Sequence, residues 1–150
     1  MHLLPLSLLT ALAFMVCSLL RHPRPSEAAP TLADAANHWA APYISTMVDT
    51  GILTGYPDGT FRPKEILTVD MFIKLILTIM GHNIENGTDY WASTYIEKAV
   101  EEGIIIPWQD PHLTFRTADD PYAGYKRPIS RGDMALIAGR AADKIIHNPE

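Results

Sequence analysis

An all-α fold of tandem helix–loop–helix repeats, packed as a small bundle with short extended pieces at a loop turn, is predicted by three features of this 150-residue sequence. Apolar residues recur at helical spacing, a turn rich in glycine and proline separates the helical stretches, and the arrangement returns a second time at a fixed offset.

In the first repeat, Trp39, Tyr43, Ile44, Met47 and Val48 share one helical face and predict a helix over residues 38–50. Gly51 closes it, because a left-handed C-terminal residue costs glycine least. Two short extended pieces, Ile52 to Tyr56 and Thr60 to Arg62, are expected to flank Pro57-Asp58-Gly59. In that turn proline presets one dihedral, aspartate bonds its own backbone and glycine takes the positive angle. Thr68 is placed to cap a second helix over 69–80, which is apolar almost all round and has to be covered on several sides. Gly81 is its stop.

Residues 90–96 repeat residues 38–44, and Gly103-Ile104 repeats Gly51-Ile52, each 52 positions later. After Ile106 a longer segment, Pro107 to Tyr125, replaces the compact loop; the pattern resumes at Ser130, 62 positions after Thr68. Helices are therefore expected over 90–102 and 131–144. Leu75, Ile76, Ile79, Trp39, Tyr43, Trp91, Tyr95, Ile96, Leu136 and Ile137 are expected to meet in one core shared by the repeats, since each hairpin is too small to bury its own apolar helix.

Ahead of the repeats, Leu3 to Leu20 are almost wholly apolar and are followed by Ser26-Glu27-Ala28, a small-x-small site. This predicts an exported chain cleaved before Ala29. The alternative is a membrane anchor formed by residues 3–20, because Arg21 and Arg24 follow the apolar run and its length is near the lower limit for spanning. Cys17 is the single cysteine and lies inside this segment, so neither disulfides nor thiolate chemistry enter the expected fold of the remainder.

The net charge of −5 becomes −6 once residues 1–28, with Arg21, Arg24 and Glu27, are removed. An acidic domain argues against nucleic acid as a partner, because phosphate binding calls for a basic surface. His38, His82, His112 and His147 share no metal-ligand spacing, and the acidic residues around Asp58 do not fit a calcium loop. Asp119-Asp120 has no base or nucleophile motif beside it. The residues thus point to a binding module, with no enzyme, metal or cofactor expected.

The run Gly51 to Pro63, reading Gly-Ile-Leu-Thr-Gly-Tyr-Pro-Asp-Gly-Thr-Phe-Arg-Pro between a helix and a capped helix, closely resembles one repeat of the S-layer homology (SLH) family. Leu32, Asp34 and Ala35 ahead of His38-Trp39-Ala40 look like the Phe-x-Asp-Val that opens that family's repeat, with the aromatic changed. The resemblance implies a first repeat over 29–85 and a second over 86–150, after a signal peptide or anchor over 1–28. It implies non-covalent anchoring to the bacterial cell wall through a secondary wall polysaccharide carrying a pyruvate ketal. The alternative is a degenerate module acting in structural or protein–protein interaction without binding carbohydrate. The expected location is the cell wall or cell surface.

Such a ligand presents a carboxylate beside hydroxyls, which calls for an arginine, an aromatic face and hydrogen-bonding groups. In the family the arginine comes from a Thr-Arg-Ala-Glu motif opening the second helix of a repeat. Here the second repeat reads Ser130-Arg131-Gly132-Asp133, so cap and arginine remain and Asp133 stands where the capping-box Glu would be. The first repeat reads Thr68-Val69-Asp70-Met71, where an anion would meet Asp70 instead of a guanidinium, so the resemblance implies a weak or dead site there; Val69→Arg, which rebuilds the motif, is expected to strengthen binding or leave it unchanged. Ligand-binding residues are accordingly expected among Arg131, Ser130, Trp39, Trp91, Tyr56, Asp58 and Gly59, with Arg62, Lys126 and Arg127 adding positive potential. The two tryptophans fit either a groove lining or a core position, and the loop residues fit either a ligand contact or the turn itself. Family members usually carry three repeats, so two imply self-association or docking to a third repeat on another chain.

Overall fold

The computed structural model describes residues 32–147; the apolar N-terminal segment, Cys17 and the cleavage site lie outside them. The described residues form five helices and no strand: α1 (Ala41–Asp49), α2 (Val69–Ile79), α3 (Ser93–Glu101), α4 (Pro111–Thr114) and α5 (Arg131–His147). The all-α class holds.

The repeat is written in the backbone hydrogen bonds. At the end of α1 the N–H groups of Gly51 and Ile52 donate to the carbonyls of Val48 and Met47, and at the end of α3 those of Gly103 and Ile104 donate to Val100 and Ala99. Each pair is the double bond that closes a helix over a left-handed residue, and Gly51 and Gly103 have φ of 75° and 68°. Both helices begin three residues later than expected. His38–Ala40 and Tyr90–Ala92 are turns instead, whose carbonyls at His38 and Tyr90 accept from the N–H of Ala41 and Ser93.

Beside the turn no strand forms among the described residues. Tyr56 N–H bonds the Thr60 carbonyl at 2.8 Å and Gly59 N–H bonds the Tyr56 carbonyl at 2.9 Å, but no ladder follows. The Asp34 carboxylate takes the N–H groups of Phe61 and Arg62 at 2.9 and 2.7 Å, and Arg62 turns to φ 57°. A left-handed residue with its N–H already spent cannot extend a strand. Gly55 fits the same knot: its φ is 71°, and a Cβ there would lie 2.8 Å from Leu32 and 2.9 Å from the Thr60 carbonyl.

α2 packs on both α3 and α5, so the core runs across the two repeats as expected. Ile73 and Leu77 of α2 meet Ile104, Ile105, Leu113 and Ile137 of the second repeat, all fully buried. Burial of each such side chain contributes roughly 1.5–3 kcal/mol. The long segment after Ile106 supplies part of this core. Asp110-Pro111 opens α4, which inserts Leu113, and Tyr125 closes behind it. Gly124 backs onto α4 so closely that a Cβ would sit 2.2 Å from the Leu113 carbonyl oxygen.

Four expected core residues stand outside it; one of them, Leu136 of α5, is half-buried but not packed into the cluster. Trp39 is 81% exposed, Tyr43 68% and Ile79 47%, and α1 buries only Ile44. The reason is tertiary. Tyr95, which repeats Tyr43, is 5% exposed because α2 lies over it, with the Lys74 ammonium 5.1 Å from its ring; among the described residues no helix covers α1 in that way.

Candidate functional site

The start of α5 is built as the sequence indicates. Ser130 Oγ accepts from the Asp133 N–H at 3.1 Å while the Asp133 carboxylate accepts from the Ser130 N–H at 3.2 Å, a reciprocal capping box with Asp in place of Glu. The same carboxylate, 6% exposed, also takes the Ser130 hydroxyl at 2.7 Å, Arg127 Nη2 at 2.8 Å and His112 Nε2 at 3.0 Å. Neither His112 nor Arg127 is signalled as a partner of Asp133 by its spacing in the sequence. His112 arrives from the long segment, which only the fold brings here, and Arg127 from just ahead of the Ser130 cap.

Burial pushes the Asp133 carboxyl up, but the bonds from Ser130 and Arg127 outweigh it and hold the group at about 2, against 3.8 for an ordinary aspartate. A folded-state value below the unfolded one contributes stability above the unfolded value and loses it as pH falls through the folded one. The contribution is roughly 2 kcal/mol, and it should fade between about pH 4 and 2. Thermal melts of wild type and Asp133→Asn are expected to differ clearly at pH 7 and to converge near pH 2. Asp58, also held at about 2 by Thr60 and Arg62, leaves the variant with some acid sensitivity.

Arg131 is the first residue of α5, exposed, and makes no hydrogen bond or ion pair among the described residues. The N–H groups of Arg131 and Gly132 have no acceptor among them either. Gly132 presents no side chain over this helix end, and a Cβ there would have only Ser130 Oγ within 4 Å, at 3.7 Å.

The start of α2 is different in kind. The Val69 and Asp70 N–H groups donate to the carbonyls of Arg127 and Tyr125 at 3.1 and 3.0 Å, and Thr68 bridges Pro128. The second repeat thus satisfies this helix end with its own backbone. Val69 is fully buried, so position 69 has no room for the arginine that would complete the motif. Thr68 occupies the N-cap, but its hydroxyl bonds the Asp70 carboxylate and not a backbone N–H, which corrects the expected cap. Asp70, 4% exposed, also takes the Met71 N–H at 2.7 Å and the Tyr90 hydroxyl. Tyr90 in turn stacks on Tyr122 at 4.6 Å and lies 4.7 Å from the Lys126 ammonium.

The other candidate residues form separate groups. Tyr56 carries the Arg62 guanidinium 4.0 Å above its ring, and Arg62 pairs with Asp58 at 2.8 Å. Asp58 also accepts from the Thr60 N–H and hydroxyl at 3.0 and 2.6 Å, and Gly59 has φ 79°, so each loop candidate has a role in the turn itself. Trp91 is half-buried between Tyr90 and Tyr95, with Lys74 5.6 Å from its ring. Trp39 stands in solvent beside His38. No hydrogen bond, ion pair or ring contact among the described residues joins these groups to Ser130 and Arg131. Lys126 and Arg127 are ion-paired to Asp120 and Asp133, which leaves Arg131 as the cation at this helix start without such a pair. Among the described residues no helix is long and apolar enough to cross a membrane.

Residues 31–68 match the S-layer homology domain, a stretch that covers Asp34, α1 and the Tyr56–Arg62 turn. The chain is 35% identical over 113 residues to a cellulosome-anchoring protein of Acetivibrio thermocellus, spanning 67% of this chain and 23% of that protein. It is 31% identical over 78 residues to the S-layer protein EA1 of Bacillus anthracis, 47% of this chain and 9% of that protein. It is 40% identical over 65 residues to the outer membrane protein SlpA of Deinococcus radiodurans, 42% of this chain and 6% of that protein. The chain therefore spans less than a quarter of the length of each of these relatives. No solved structure matches it. The sequence match and the helical architecture agree, and the chain carries an S-layer homology domain, identified across residues 31–68.

Proposed function

We propose that this domain anchors its protein non-covalently to the bacterial cell wall by binding a secondary wall polysaccharide, and that a carboxylate of that polymer, as in a pyruvate ketal, is taken at the start of α5. The observation that carries this reading is the exposed Arg131, which has no hydrogen bond or ion pair among the described residues, on a helix start where the N–H groups of Arg131 and Gly132 have no acceptor among them either. A helix N-terminus favours an anion, and a guanidinium adds a charge-assisted and planar pair. The anchoring role of one relative, stated in its name, agrees with it. The repeats assigned to 29–85 and 86–150 fit the helix-closing bonds that recur 52 residues apart.

A second reading is favoured by the start of α2, where the chain's own carbonyls take the N–H groups a ligand would use. On that reading the module is degenerate and acts in structural or protein–protein contacts alone. Sedimentation with purified cell-wall sacculi separates the two. Wall binding predicts that the protein pellets with intact sacculi and stays in solution once the secondary polymer has been stripped; equal retention by both would exclude the polymer as ligand.

A further inference from the structure

The Asp133 carboxylate holds more partners than a capping box needs. Its Oδ2 takes the Ser130 N–H, the Ser130 hydroxyl and Arg127 Nη2, and its Oδ1 faces His112 Nε2 at 3.0 Å. An ionised carboxylate only accepts, so Nε2 carries the proton of the neutral ring. The nitrogen that titrates is then Nδ1, which has no partner among the described residues, on a side chain that is 53% exposed. A proton added there leaves the Asp133 bond and the capping box in place.

The charges around this ring are otherwise fixed. On α5, Asp133 is held at about 2 and stays ionised near neutrality. On α4, Asp110 lies below the ordinary carboxylate value and is paired with Arg140. From the segment ahead of α5, Arg127 donates through Nε to the His112 carbonyl at 3.3 Å and through Nη2 to Asp133. Burial pushes the Tyr125 hydroxyl up, so it remains neutral. Arginine keeps its charge throughout. His112 is therefore the group in contact with Asp133 whose charge changes between about pH 5 and 8. Arg127 and Arg131 against Asp133 leave this helix start one positive charge, and an imidazolium makes it two.

We propose that His112 is a switchable second cation of the anion site at the start of α5, so that a ligand carboxylate is held more tightly as pH falls through the histidine range. Asp133 joins His112 to Ser130, the residue before Arg131, which sets the new charge beside the helix start. Linkage requires the converse, that a bound anion raises the proton affinity of His112. The inference rests on the reading of this helix start as an anion site, and a probe without sugar tests it apart from wall binding.

The probe is sulfate, which keeps its charge over this range, at an ionic strength held constant with chloride. Binding is read from the amide resonances of Arg131 and Gly132. Wild type is expected to bind sulfate about twofold to fivefold more tightly near pH 5 than near pH 8. His112→Gln keeps an N–H for Asp133 but takes up no proton, so it should bind at both pH values as wild type does at the higher one. If that variant melts below wild type, the His112 ring resonance of wild type decides, since its titration midpoint should rise in saturating sulfate. A wild type indifferent to pH, a folded variant that keeps the pH dependence, a midpoint unmoved by sulfate, or no sulfate response at Arg131 and Gly132 would each overturn the proposal. Purified wall polymer run in parallel separates the two readings. Sulfate binding with the expected pH dependence, but no polymer binding, would remove the wall ligand and leave the switch standing.

Discussion

Replacing Arg140 by alanine is expected to destabilise the domain by about 3–5 kcal/mol, the effect of removing one partner of a buried ion pair. Asp110 is 2% exposed and accepts from Arg140 Nη1 at 2.5 Å, Arg140 Nη2 at 3.2 Å and the Ile106 N–H at 2.7 Å. Arg140 also donates to the Ile104 carbonyl at 3.0 Å, so one guanidinium ties α5 to the whole turn that leads into α4. Burial drives the Asp110 carboxyl up, and the Arg140 bonds reverse this and hold it below the ordinary value. Without Arg140 the carboxylate is left in the core with a single donor, and it will take up a proton or draw in water. Against a total stability of about 5–15 kcal/mol this is a large loss. Urea unfolding should show it as a lower midpoint at unchanged slope, with Arg140→Lys recovering part. A loss below about 1 kcal/mol would mean that the pair is not buried as described.

The parts of this fold that were legible in the sequence are those fixed by local chemistry. Gly51, Gly81 and Gly103 close their helices with positive φ because the left-handed residue and its two bonds are settled within six positions of chain. Ser130 and Asp133 form their box for the same reason. Burial was less legible. Trp39 and Trp91 stand in nearly the same local sequence and differ in exposure because α2 covers one and not the other, a fact no window of α1 contains. The clamp that Asp34 puts on Phe61 and Arg62 was not legible, because it comes from 27 residues away. α4 left one readable mark, Asp110-Pro111, since proline suits the first turn of a helix. His112, Arg127 and Tyr90 left none, as their partners lie 21, 6 and 20 residues away at spacings that no local motif marks.

The buried Val69 changes what the motif permits. Val69→Arg, which restores the family arginine in sequence, would place a charge beneath the Tyr125–Pro128 segment and is expected to unfold that end of α2 without creating a site. On the proposed reading, recognition is then left to the second repeat. A charge-assisted pair between Arg131 and a ligand carboxylate is worth about 1.5–3 kcal/mol, which corresponds to a loss of about tenfold to a hundredfold on truncation. Because Arg131 is exposed and outside the Ser130–Asp133 box, its removal should leave the fold unchanged. Lysine at 131 should recover only part of the binding, giving a point charge without the planar fork. The direct measurement is calorimetric titration of purified secondary wall polymer into wild type, Arg131→Ala and Arg131→Lys. The account predicts affinity falling in the order wild type, lysine, alanine at constant melting temperature; equal affinity for wild type and Arg131→Ala, with the fold intact, would contradict it.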